Sequence, residues 1–169
     1  MLKTTASILV FVLVFESIAW AVSSKNAAYV GGTAVEFGNP ENPIEGKLLT
    51  DSGTELQFTW GNKQSSNIFS IPYKNILDLE YGQKAGRRVG VAIGTALLVS
   101  PIGLFALFSK KRKHFLTIGY KDAQDKEQVV IFELGKDIVR TTLPILETRS
   151  GKKIEYQDKE AEKAGKGGN

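Results

Sequence analysis

The chain has 169 residues, 42% of them apolar and 24% charged, with a formal net charge of +4, one histidine and no cysteine. That is the composition of one globular domain with appendages, too polar for a polytopic membrane protein. Disulfide staples and thiolate metal sites are excluded. So is the broad basic face with interleaved aromatics of a nucleic-acid binder.

In chain order, Met1-Leu2-Lys3 supplies a positive start and Ile8–Phe15 a compact apolar stretch. Ala19-Trp20-Ala21 then offers a small-x-small cleavage site. Residues 1–21 therefore read as a signal peptide, and the protein as exported: periplasmic or otherwise extracytoplasmic, and membrane-associated. Residues 22–28 form a short leader.

From Tyr29 onward, short strand-forming runs recur between turn residues. Tyr29–Phe37 is the first, weakened by Gly31-Gly32, which marks a bulge or turn. After the Asn39–Pro43 loop come Ile44–Thr50 and, past Asp51-Ser52-Gly53, Thr54–Trp60. In Thr54–Trp60 the apolar Leu56, Phe58 and Trp60 alternate with Gln57 and Thr59, as in a half-buried strand. Asn67–Tyr73 is the fourth strand, with Pro72 setting its end at an edge or bend. Ile76–Tyr81 is the fifth, with Leu77, Leu79 and Tyr81 facing one side and Asp78 and Glu80 the other.

Residues 82–113 interrupt this pattern as a glycine-rich apolar insertion. Its core, Val89–Phe108, is uncharged, and as an α-helix it would reach about 30 Å, the thickness of a bilayer's hydrocarbon. Arg87 and Arg88 precede it, and Lys110, Lys111, Arg112 and Lys113 follow it, suited to anionic lipid head groups. Gly82, Gly86, Gly90 and Gly94 repeat every four residues, a glycine-zipper stripe that allows close helix packing. Pro101, within Ser100-Pro101-Ile102-Gly103, breaks the run near its middle.

Three readings follow for the run. A re-entrant hairpin of two short apolar helices dips into one leaflet and returns. A single transmembrane span carries Lys110–Lys113 to the other side. A buried core helix or docking arm packs against protein. The hairpin is preferred, because it keeps every strand in one compartment.

Past the insertion, His114–Tyr120 and Glu127–Leu134 make the sixth and seventh strands around a polar turn. A helix is expected over Asp137–Ser150, capped by Asp137, with Val139, Thr142, Leu143 and Leu146 on one face. Pro144 predicts a kink or a shorter helix, and Gly151 a stop. Residues 151–169, rich in Lys, Glu and Gly, read as a charged disordered tail.

The stretch Ile71-Pro72-Tyr73-Lys74-Asn75-Ile76-Leu77-Asp78-Leu79-Glu80 resembles an "I-P-Y-x-x-I-x-x-L-E" segment of bacterial pleckstrin-homology-like (PH/GRAM-like) domains. Tyr81–Arg88, Lys110–Tyr120 and Glu133–Arg140 are similar to segments of a group of uncharacterised bacterial exported proteins. The resemblance implies, over 29–150, a mainly β, seven-stranded PH-like sandwich or partly open barrel. Its two sheets would pack nearly orthogonally, a C-terminal helix would cap one end, and the apolar helical insertion would lie between strands five and six. Many such domains bind phosphoinositides through basic early loops. Here the loops around Pro40–Pro43 and Gly61–Ser66 carry almost no basic residues.

The residues suggest no catalytic chemistry. His114 has no second histidine to share a metal. Asp122, Asp125 and Glu127 lack the spacing of a calcium loop. Asp78 and Glu80 share a strand face without a nucleophile, and no G-x-S-x-G, P-loop or dinucleotide fingerprint occurs. The expectation is a non-enzymatic binding or assembly module with no cofactor or metal. Its partner would be a membrane lipid surface, with itself or another membrane protein as the alternative and no nucleic acid.

Overall fold

The structure is a computed structural model, and it describes residues 27–38, 40–61, 65–83 and 114–167. The fold is mainly β. The strands are β1 (Ala27–Gly32), β2 (Ile44–Leu49), β3 (Glu55–Gly61), β4 (Ser66–Pro72), β5 (Ile76–Gly82), β6 (His114–Lys121), β7 (Glu127–Leu134) and β8 (Ile154–Tyr156). Two helices follow the seventh strand, α1 (Lys136–Ser150) and α2 (Lys159–Lys166).

These strands form one mixed sheet in the order β4-β3-β2-β1-β7-β6-β5-β8. All pairings are antiparallel except that of β8 with β5, which is parallel. The sheet is open, since β4 and β8 at its two edges do not pair. In place of the expected seven-stranded sandwich of two sheets there is one continuous eight-stranded sheet, because β1 pairs with both β2 and β7, and residues past Ser150 add the eighth strand beside β5.

Alternation explains β3, where Leu56 and Phe58 are buried and Gln57 and Thr59 only partly so. In β1 the register against β7 shifts between Tyr29 and Gly31, the bulge that Gly31-Gly32 signalled. Gly32, at φ +142°, lies so close to β7 that a Cβ would overlap the Val129 carbonyl oxygen. The first strand stops there. Val35–Phe37 instead form a 3-10 turn that swings Phe37 onto Tyr29, with ring centroids 3.8 Å apart.

The main core lies between one face of the sheet and α1. Tyr29, Phe37, Phe58, Phe69 and Phe132 form its aromatic part, and Ile138, Val139, Leu143 and Leu146 close it from the helix. Helix α1 starts at Lys136 behind Gly135, with no side-chain cap, so Asp137 is a first-turn residue and not the cap. It runs unbroken through Pro144 to a left-handed Gly151, because its buried apolar face outweighs the one backbone bond that proline removes. Near its end, the Arg149 guanidinium donates to the Thr50 and Ser52 carbonyls and lies over the Tyr73 ring.

The expected disordered tail is ordered through Lys166. The Glu147 carboxylate accepts from the Ile154 amide at 2.9 Å, and Asp158 caps α2 by accepting from the Ala161 amide at 2.7 Å. Ala161 is fully buried.

The expectation of a transmembrane segment is corrected in two ways. Among the described residues, no helix is long and apolar enough to cross a membrane. In addition, a single crossing by 89–108 would put β5 and β6 on opposite sides of a bilayer, whereas the two strands are hydrogen-bonded neighbours over their whole length. The signal peptide 1–21 and the re-entrant helix fall outside the described residues and draw no support from them.

Phe58 is 1% exposed and its ring contacts Phe37, Trp60 and Phe132. Phe58→Ala is expected to lower the unfolding free energy by about 3–5 kcal/mol, read from urea denaturation. A loss below about 1 kcal/mol would show that these rings are not the centre of the core.

Candidate functional site at the insertion end of the sheet

Antiparallel pairing sets Ala27 opposite Leu134, Leu134 opposite His114, and Gly82 opposite Phe115. The start of β1, the end of β5, the start of β6 and the end of β7 therefore meet at one end of the sheet. Both ends of the insertion leave from there, and α1 begins two residues beyond Leu134.

Of the site residues expected from sequence, Gly82 is the one within the described set. It closes β5 as a strand residue, not as the first step of a helical glycine stripe. The Gln157 side chain lies where a Gly82 Cβ would be. That side chain also donates to Glu80 Oε1 at 3.2 Å, and the Gln157 amide donates to the Tyr81 carbonyl. Close packing by the chain after β8 is what requires a glycine here. Gly86, Gly90, Gly94, Pro101, Arg87, Arg88, Lys110, Lys111, Arg112 and Lys113 lie outside the described residues.

His114 opens β6 and is half-buried, with its Nδ1 2.5 Å from the Tyr81 hydroxyl and the two rings nearly parallel. Burial, and then the Tyr156 hydroxyl, push the Tyr81 phenol up to about 12, so it stays a neutral partner. Burial first, and then the Lys136 ammonium, hold the His114 imidazole below its ordinary value near 6.5, against an opposing pull from Glu133. His114 shares an open recess of about 860 Å³ with Gln83, Lys136, Asp137, Arg140 and Ala164.

Two cations thus face one carboxylate beside the first turn of α1, whose free N–H groups add positive potential. Among the described residues neither Lys136 nor Arg140 has an ion pair. They sit four apart on one helix, a spacing visible in the sequence, but nothing local linked them to His114. On the β1–β2 side of the same end, a smaller recess of about 230 Å³ is lined by Glu45 and Glu133 with Ala27, Gly46 and Leu134. Among the described residues this end of the sheet is therefore polarised, basic toward α1 and acidic toward β2 and β7.

The other acidic residues considered from sequence serve local structure. Asp122 accepts from the Gln124 and Lys126 amides and from Gln128 Nε2, each at 2.9 Å, and these bonds lower its pKa. Asp125 pairs with Lys121. Asp78 lies over Gly119. Among the described residues no group of three or more His, Asp or Glu side chains is placed to hold a metal ion.

The depressed His114 pKa fixes a sign. Folding favours the neutral imidazole, so its contribution is fully present above the unfolded value near 6.5 and is lost as pH falls through the lower folded value. The melting temperature is expected to drop from pH 7.5 to pH 5 more steeply in the native chain than in His114→Gln. Parallel profiles would assign the acid sensitivity to other groups. Comparison with known protein families and with curated proteins found no match for this chain.

Proposed function

We propose that this protein is a non-enzymatic binding module that docks on an anionic lipid surface through its insertion end, without crossing the bilayer. One observation carries the reading: β5 and β6 pair up to Gly82 and Phe115, so the segment between them leaves and returns at one place. Whatever path 84–113 takes, Arg87-Arg88 and Lys110–Lys113 are tethered within a few residues of that place. Lys136 and Arg140 stand beside it. The seven Lys and Arg residues of 84–113, with no Asp or Glu among them, are thereby tethered at one end of a domain whose described residues carry 12 Lys and Arg against 17 Asp and Glu. Juxtamembrane basic residues contribute about 1 kcal/mol each near an anionic surface.

The PH-like reading of the fold belongs to the same proposal. It is supported by seven strands followed by a helix that closes the core, and by the position of the insertion between the fifth and sixth strands.

The purified chain is expected to float with vesicles containing about one-third phosphatidylglycerol and not with neutral phosphatidylcholine vesicles, and to release as salt screens the contact. Replacing all four of Lys110–Lys113 by Gln should weaken binding at least tenfold, given about 1 kcal/mol for each. Equal binding to neutral vesicles, or binding indifferent to those four residues, would sink the proposal.

A further inference from the structure

The sheet has a second apolar face. Strand β3 alternates between buried and part-exposed residues and β2 buries only Leu48, but β6 and β7 are buried along nearly their whole length on both sides. Residues pointing away from α1 on the central strands are Val30, Phe115, Thr117, Val129 and Ile131. They form a small separate apolar cluster around Thr117, with Phe115 2% and Ile131 1% exposed. Every side chain in that cluster comes from a strand, while the buried side chains of α1 and α2 belong to the main core. Cross-strand neighbours shield a side chain only laterally. Exposure this low requires a further layer above the sheet.

We infer that this layer is the chain's own segment 84–113, seated on the outer face of β1, β7, β6 and β5. Its ends argue for it. Gln83, directly after β5, and His114, the first residue of β6, bound the segment, so both its ends leave from two of the four strands that carry the face. Doubled back at Pro101, the 17 residues before it and the 12 after it would make arms of roughly 26 and 18 Å as helix, no longer than the roughly 27 Å of an eight-residue strand. The composition fits as well, since an uncharged run meets an apolar face, and Gly86, Gly90 and Gly94 allow close approach to it. Charge agrees in sign. Glu80 lies on this face, 6% exposed, with one carboxylate oxygen lacking a hydrogen-bond partner among the described residues, while Lys84, Arg87 and Arg88 open the segment. The rival occupant, residues 1–26, is tethered to the sheet at one end only, ahead of Ala27.

This inference does not rest on lipid docking, and it is tested without lipid. The chain has no cysteine, so Ile131→Cys in the full chain is a clean probe of the face. Maleimide labelling of the native protein is expected to be at least 100-fold slower than of the urea-unfolded chain. Replacing 86–110 by a short Gly-Ser linker should speed it at least tenfold, and removing 1–21 should not. Continued protection without 86–110, or exposure on loss of 1–21, would overturn the assignment. Should the deletion prevent folding, the full chain decides the question. Val129→Cys, combined with single cysteines over 89–108, should form an intramolecular disulfide in the monomer for at least one position. Failure at every position overturns the inference, whatever the outcome with vesicles.

Discussion

Antiparallel pairing of β5 with β6 runs from Ile76 opposite Tyr120 to Gly82 opposite Phe115, and the rest of the molecule is arranged by it. Hydrogen bonds perpendicular to two strands fix their ends as neighbours within about 5 Å. A segment joining those ends has to return to where it began, however apolar it is. The same ladder continues into β7, so His114 lies opposite Leu134 and the chain enters α1 immediately afterwards. Tyr81 and His114 lie on the face toward α1, and Glu80 and Thr117 on the face away from it, because side chains alternate along both strands.

Strand positions were legible wherever alternation was clean. Glu127–Leu134 and His114–Tyr120 agree with the structure to within one residue at each end. The unbroken apolar stretch Val129-Val130-Ile131-Phe132 also held a message about burial on both faces, which alternation alone does not convey. What failed was the C-terminal region. Lys159–Lys166 looks like a solvated tail by composition, yet the Asp158 cap, buried Ala161 and a glycine under Tyr156 suffice to dock one short helix. Tertiary packing overrode local composition there, as it did at Pro144.

The candidate site was harder to read than the fold. His114 stood out as the lone histidine beside a basic cluster, but Tyr81 is 33 residues earlier and Lys136 is 22 later. Only the sheet register joins them. Gly82 belonged to a regular four-residue glycine spacing, and the spacing hid its strand role under Gln157. Periodicity reports one element at a time. A recess built from β5, β6, α1 and α2 has no periodicity of its own.

The parallel addition of β8 has a mechanical consequence. Strand β5 is held on one side by β6 and on the other by β8, while β6 is held by β7. Tension applied through the segment between β5 and β6 pulls both strands along their axes in the same direction. Removing them means sliding whole ladders past β8 and β7, with many hydrogen bonds loaded together instead of one after another. The pair is therefore mounted in shear, the loading geometry in which a small sheet resists being drawn out by the appendage it carries.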